Sequence, residues 1–298
     1  MSEDPRFRID APPPARRRFP FVEHPLFHLG LFLLTLATTT VAGALFFGGG
    51  LPLSKTWATG FRFSVPVLLI MGTHEMGHYL MCRRYGVAAT LPYFLPAPTM
   101  FGTFGAVMRI RAPIRNKAML LDIGAAGPLA GFVATLPFLF YSVGRATPVH
   151  EAPASGTVLF GYPLLVRFAQ DWAGLARYTS EAIHEDPTFM AAWFGLLVTA
   201  LNLLPIGQLD GGHVLRAAVG RRQPIVSAAV LAVAVLSVFR GGYAWAVWAA
   251  IAGALVGIPH PPVDDDDEPL GTGRLTIALV CVAVFLLCVT LVPIQTVD

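Results

Sequence analysis

From Pro25 to Phe47 the chain runs without one Asp, Glu, Lys or Arg. A stretch of this length can cross a bilayer as a helix, because about 20 apolar residues span a hydrocarbon core of about 30 Å. Further apolar runs follow at about Phe61–Cys82, Met119–Val143, Thr188–Leu209, Ile225–Phe239, Tyr243–Ile258 and Leu275–Val292. Their repetition sets the fold class: an all-α integral membrane protein with six to seven transmembrane helices. Composition agrees. Of 298 residues, 55% are hydrophobic and 13% charged, with a mean hydropathy of +0.62. A soluble domain carries about 25% charged residues. The polar surface is too small to wet a folded chain of this size, and the chain is too apolar for general disorder. Three cysteines do not make a disulfide scaffold; Cys82, Cys281 and Cys288 lie in apolar runs and read as small hydrophobic filler.

The chain divides into a Pro- and Arg-rich arm (1–24), a first span and loop (25–60), a core (61–219) and C-terminal helices (220–298). The arm reads as disordered and not as a cleaved signal peptide, since its charged stretch is long and the apolar run after it exceeds a signal's apolar region. The third run contains Pro128, which is expected to kink or break its helix. Gly86–Pro113 is apolar but rich in Gly, Pro and aromatic residues. Within it, Thr90–Thr99 and Gly102–Arg111 can pair as a hairpin. Non-helical backbone at membrane depth is tolerated only where it is buried in protein or lines a wet cavity, so the stretch reads as a re-entrant or interfacial β-loop. Within the mixed loop Gly144–Pro187, Val158–Trp172 reads as an interfacial helix. The acidic run Asp264–Glu268 reads as a solvated linker, and His260 among Pro259, Pro261 and Pro262 as a turn.

Lys and Arg sit in short clusters between the apolar runs. With seven spans and a cytoplasmic N-terminus, most of the 21 basic residues fall on the inner side. The net charge of +3 therefore reflects membrane topology and gives no reason to expect nucleic acid as a partner. The same topology places His78 near the cytoplasmic face.

The chemistry gathers in the second run, at His74-Glu75-Met76-Gly77-His78. Residues four apart on a helix share a face, so both imidazoles can reach one metal ion. Glu75 is one residue along and can face a water on that ion, as a zinc hydrolase requires. Random placement would produce this pattern in about 0.5% of chains of this make-up. Ionisable residues inside a span need a partner, and a metal would satisfy all three. A His pair hydrogen-bonded to Glu in a protein interior is the simpler alternative. Catalytic zinc takes three protein ligands and keeps one position open. Asp122 is a possible third ligand. Asp210 fits better: it ends the fourth run on the same side as His78, and Gly211-Gly212 lets the backbone turn tightly after it. His213 could replace or support it. A helix cap before Gly211–Val219 is the alternative role for Asp210.

These residues resemble the site-2 protease family of intramembrane zinc metalloproteases. The resemblance rests on His74-Glu75-x-x-His78 in a span and on Asn202-Leu203-Leu204-Pro205-Ile206-Gly207-Gln208-Leu209-Asp210-Gly211-Gly212, which contains each element of the family's Asn-x-x-Pro…Leu-Asp-Gly motif. Ala125-Ala126-Gly127-Pro128-Leu129-Ala130-Gly131 resembles the core span between the two motifs, and Gly102–Arg111 the family's re-entrant β-loop. The likeness runs from about Phe61 to Val219. It is closest to the short branch of bacterial members and chloroplast proteins of the ethylene-dependent gravitropism-deficient and yellow-green type. No segment fits a PDZ domain, so control by such a module is not expected.

The resemblance implies a three-helix catalytic core and one Zn2+ per chain, bound by His74, His78 and Asp210, with Glu75 as general base and then acid. It implies that Asn202 holds the substrate backbone or the oxyanion. Gly102, Thr103, Phe104 and Gly105 would lie in the loop that binds substrate. The expected partners are single-span membrane proteins as substrates and the lipid bilayer; the oligomeric state is not legible. The expected location is a bacterial inner membrane. The competing reading is a non-proteolytic membrane protein, either a metal transporter or an inactive protease-like chaperone.

Overall fold

A computed structural model of the protein describes residues 24–48, 52–146, 158–175, 186–240, 245–248, 250, 257–258, 260 and 269–296. Most of the arm, most of the run Tyr243–Ile258 and the acidic run Asp264–Glu268 lie outside the described residues.

The helices Pro25–Phe47, Lys117–Val143 and Pro187–Leu203 each begin at a side chain that takes up a free backbone N–H, that of His24, Asn116 and Asp186 respectively. Helix α1 (Pro25–Phe47) opens on a proline, whose missing N–H costs nothing in a first turn. The long α2 (Leu53–Arg84) follows. Helix α3 (Lys117–Val143) is capped by Asn116, whose side chain accepts from the Met119 N–H at 2.8 Å. After the short α4 (Leu164–Trp172), α5 (Pro187–Leu203) is capped by Asp186, which accepts from the Phe189 N–H at 2.7 Å. Helix α6 (Asp210–Val219) continues through a single tight turn into α7 (Gln223–Leu236), and α8 (Thr272–Cys288) closes the helical set.

Helices α2, α3 and α5 pack on one another around Phe63, Val67 and Met71, Leu120, Leu121 and Leu139, and Met190, Trp193 and Leu196. Helix α8 adds Ala278, Cys281 and Val284 to this core. Large apolar side chains such as Leu29, Leu33, Val133, Ile225 and Leu279 remain outside it, exposed. Burial would recover about 1.5–3 kcal/mol for each of them in water; in a bilayer they already have an apolar solvent. By length and composition, three segments can cross a membrane: Pro25–Phe47, Lys117–Val143 and Asp210–Phe239. Helix α2 is long enough too, about 48 Å at 1.5 Å per residue, but its Lys, Arg, His and Glu residues keep it out of that set.

Among the described residues two small antiparallel sheets accompany the helices, so the fold is mostly but not wholly α. Strands β1 (Tyr93–Pro96) and β2 (Thr103–Val107) pair with Tyr93 opposite Val107 and Leu95 opposite Gly105, inside the region read as a hairpin. Helix α1 holds this hairpin. The Thr38 hydroxyl donates to the Gly102 carbonyl at 2.7 Å, and His28 Nδ1 lies 3.0 Å from the Pro92 carbonyl. Strand β3 (Val158–Phe160) pairs with β4 (Ile294–Thr296).

The structure corrects several expectations. Helix α2 starts at Leu53, so a division at 60/61 would cut a continuous helix. Helix α3 is not broken; it runs through both Pro128 and Pro137. Neighbouring helices commonly sustain proline-containing spans in this way. Helix α5 ends at Leu203 because Pro205 drives Leu204 out of the helical region, to φ −55° and ψ 128°. Val158–Trp172 is a strand and a helix separated by Gly161 and Pro163, not one helix.

A half-buried polar link fixes α8. Arg274 donates from Nη2 to Asp122 Oδ2 at 3.0 Å and to the Tyr85 hydroxyl at 3.2 Å, while Tyr85 itself donates to Asp122. Burial, with the Asp122 carboxylate alongside, raises the pKa of the Tyr85 hydroxyl above its ordinary value. Because the Arg274 side chain is partly exposed, Arg274→Met is expected to cost about 1–2 kcal/mol. Thermal unfolding in detergent should show the loss as a lower Tm, with metal binding retained.

Candidate metal centre

His74 and His78 project from one face of α2, as their spacing requires. Asp210 does not end the preceding helix; it is the first residue of α6. The turn from Leu204 to Leu209 brings it back against α2. Gly211 and Gly212 permit this return, because a Cβ at the first would run into the Leu203 carbonyl and one at the second into the Gly207 carbonyl.

The three donor atoms form a nearly equilateral triangle. His74 Nε2 and His78 Nε2 lie 3.2 Å apart, and Asp210 Oδ2 is 3.3 Å from the first and 3.2 Å from the second. Zinc bonds of about 2.0–2.1 Å in a tetrahedron place neighbouring ligand atoms about 3.3–3.4 Å apart. The triangle is thus one face of such a tetrahedron, with the fourth position left over. Hydrogen bonds alone serve this arrangement poorly, because protons on both Nε2 atoms would point into the same small space. The tautomer of His78 follows from its other nitrogen. Nδ1 lies 2.7 Å from the Ile123 carbonyl, which can only accept. Nδ1 therefore carries the proton and Nε2 keeps its lone pair for the centre. Among the described residues, His74, His78 and Asp210 are the group of His, Cys, Asp and Glu side chains that could hold a metal ion.

Glu75 is buried next to the triangle, with the backbone of Met108, directly after β2, near its carboxylate. Asn202 Nδ2 lies 3.4 Å from His74 Nε2, so the carboxamide faces the centre. Thr103 and Gly105 are buried, while Phe104 is 72% exposed and points away from the hairpin. Asp122 is not at the centre; Arg274 and Tyr85 engage it. His213 is not in the triangle either. Its Nδ1 lies 2.7 Å from Nε2 of His260, a residue whose proline-rich surroundings read as a turn. No local pattern announces that pair, since its members are 47 residues apart.

Helix α3 makes room for the centre. A Cβ at Gly127 would fall on the His78 ring, and one at Gly131 would lie 3.1 Å from His74 Cβ. Small residues of this kind allow membrane helices to approach closely.

An apolar helical bundle with two imidazoles and one carboxylate on a triangular face, beside a buried glutamate, belongs to the class of open metal centres rather than closed structural ones. The chain belongs to peptidase family M50, whose profile matches residues 62–240. It is 34% identical over 237 residues to the probable zinc metalloprotease EGY1, chloroplastic, of Oryza sativa subsp. japonica, covering 76% of this chain and 39% of that protein. The Arabidopsis thaliana protein of the same name is 31% identical over 234 residues, 76% of this chain and 42% of that protein. The probable zinc metalloprotease EGY2, chloroplastic, of Oryza sativa subsp. indica is 38% identical over 160 residues, 51% of this chain and 28% of that protein. The chain thus spans less than half the length of these relatives. No solved structure matches it.

Gly127→Ala tests the packing of the centre. The added methyl must displace the His78 ring, at a cost of about 1–3 kcal/mol. Both the Tm and the zinc content of the purified protein should fall, whereas Gly30→Ala, at a glycine with open space around it, should change neither.

Proposed function

We propose that the chain is an intramembrane zinc metalloprotease that hydrolyses peptide bonds of transmembrane protein substrates near the cytoplasmic side. The observation that carries this reading is the His74–His78–Asp210 triangle with Glu75 beside it, in a chain of family M50 whose relatives are named as zinc metalloproteases. His74, His78 and Asp210 would hold one zinc ion per chain. Zinc bound there supplies Lewis acidity, which activates water at neutral pH and polarises a peptide carbonyl.

The protein's own groups do the rest. Glu75 takes a proton from the attacking water and returns it to the amine that leaves when the C–N bond breaks. Asn202 donates from its carboxamide to the oxyanion or to the substrate backbone; its place beside His74 supports that role. In this reading helices α2 to α6 form the catalytic core, which therefore begins with α2 at Leu53, and residues 220–298 complete the membrane domain.

A helical substrate has its carbonyls hydrogen-bonded, so it must unwind before hydrolysis. The β1–β2 hairpin serves as a re-entrant loop whose β2 edge pairs with the extended segment, as in β-augmentation. The nearness of the Met108 backbone to the Glu75 carboxylate supports this, because Met108 directly follows β2. Seven spans with a cytoplasmic N-terminus, in a bacterial inner membrane, fit the basic residues Arg83, Arg84, Lys117, Arg221 and Arg222 at the ends of α2, α3 and α6. Single-span proteins of that membrane are the substrates. A transporter or an inactive chaperone is disfavoured, since the polar groups gather at one depth and both Glu75 and the donor triangle are intact.

The test is cleavage of a single-span model substrate by the purified protein. Glu75→Gln should lower turnover by about 10²–10⁴-fold with zinc content unchanged; equal rates in both would sink the assignment. Phe104→Pro and Ala106→Pro, made one at a time, probe the loop. Each should reduce turnover and leave zinc bound, and full activity in both would remove the β2 edge from the mechanism.

A further inference from the structure

The turn that carries Asp210 is held from outside the three helices that bear the motifs. Gln223 and Ser227, both fully buried at the start of α7, form the hub. The Gln223 carboxamide is fully committed. Its Nε2 donates to Ser227 Oγ at 2.8 Å and to the Ile258 carbonyl at 3.0 Å, while its Oε1 accepts from the His260 N–H at 3.0 Å. Ser227 passes the direction on, donating to the Pro205 carbonyl. Ile258 closes a second path, because its carbonyl also accepts from the Gly207 N–H at 3.2 Å. His260 closes a third, with Nε2 at 2.7 Å from His213 Nδ1. His213 is one turn along α6 from Asp210, and its N–H bonds to the Leu209 carbonyl at 2.9 Å. Pro205 and Gly207 belong to the turn before Asp210, and His213 to the helix after it. The network therefore grips the Asp210 segment on both sides.

We propose that Gln223, Ser227 and His260 are positioning residues for the Asp210 carboxylate, so that α7 and the segment at Ile258 and His260 support the metal centre and do not merely close the fold. The inference rests on the reading that His74, His78 and Asp210 hold zinc. Its physical basis is twofold. In an apolar surround the free backbone groups of a turn must find partners inside the protein. A ligand on such a turn is only as well placed as the turn itself, and partners behind the ligands of a metal site typically govern 10–100-fold in affinity. His74 and His78 stand on a continuous helix and need no such support. Asp210 stands at a helix start after six non-helical residues, Leu204 to Leu209, and does need it.

The experiment strips the full-length protein of metal in detergent and titrates it with zinc against a chromophoric chelator. The wild type is expected to bind one equivalent, and His74→Ala to abolish tight binding. Gln223→Leu should weaken zinc binding about 10–100-fold. Ser227→Ala should weaken it in the same direction, whereas Ser227→Thr, which keeps the hydroxyl, should bind as the wild type does. A cobalt-loaded Gln223→Leu protein should show altered visible bands, since a displaced carboxylate changes the geometry at the ion; a loss of general stability alone would leave those bands in place. If Gln223→Leu does not survive purification, the Ser227 pair decides. Equal zinc affinity in wild type, Gln223→Leu and Ser227→Ala overturns this proposal while the metal reading stands. Failure of the wild type to bind zinc overturns the metal reading and this proposal with it.

Discussion

Two imidazoles and a carboxylate sit within 3.3 Å of one another inside a packing of apolar helices, and much of the architecture accommodates that meeting. Polar groups at such depth are costly unless paired. Helix α2 brings two of them on one face. Helix α3 gives up side chains at Gly127 and Gly131 so that α2 can approach with the imidazoles between them. The third group arrives on a different helix, after a turn tight enough to need two consecutive glycines. Each concession lowers local stability on its own: glycine costs about 1 kcal/mol in a helix interior, and an interrupted helix frees backbone groups. They make sense together because they converge on one point.

Much of this was legible in the sequence. The spacing of His74 and His78 fixes their common face, and a polar cluster in an apolar run demands a partner. The hairpin could be read from the composition of Gly86–Pro113, and its strands lie within the segments expected. One boundary follows from chain geometry, since Pro205 disfavours a helical conformation at Leu204. That one boundary decides whether Asp210 ends a span or begins the next helix. Pro128 shows the opposite outcome: it lies inside α3 without breaking it, because packing overrides the local penalty.

What was not legible is non-local. Asp122 is a reasonable ligand by residue type, and nothing near it in sequence reveals that Arg274, 152 positions away, engages it. His260 looks like part of a proline-rich turn until His213 is found beside it. Strands β3 and β4 are three residues each, too short to announce themselves by alternation, and each is a strand because of the other. Local pattern reports which groups must be satisfied; it does not say by whom.

The β3–β4 pairing has a consequence for biogenesis. Val158–Phe160 leaves the ribosome long before Ile294–Thr296 exists, and for that interval its edge lacks the partner it has in the finished protein. The neighbouring Gly161 N–H, which bonds to the Pro293 carbonyl at 2.9 Å, waits in the same way. The helices that hold the donor triangle can therefore assemble before this clasp closes. Late closure separates the clasp from the site: a nascent chain arrested before residue 294 would own every group of the metal centre and still present an open edge to its surroundings.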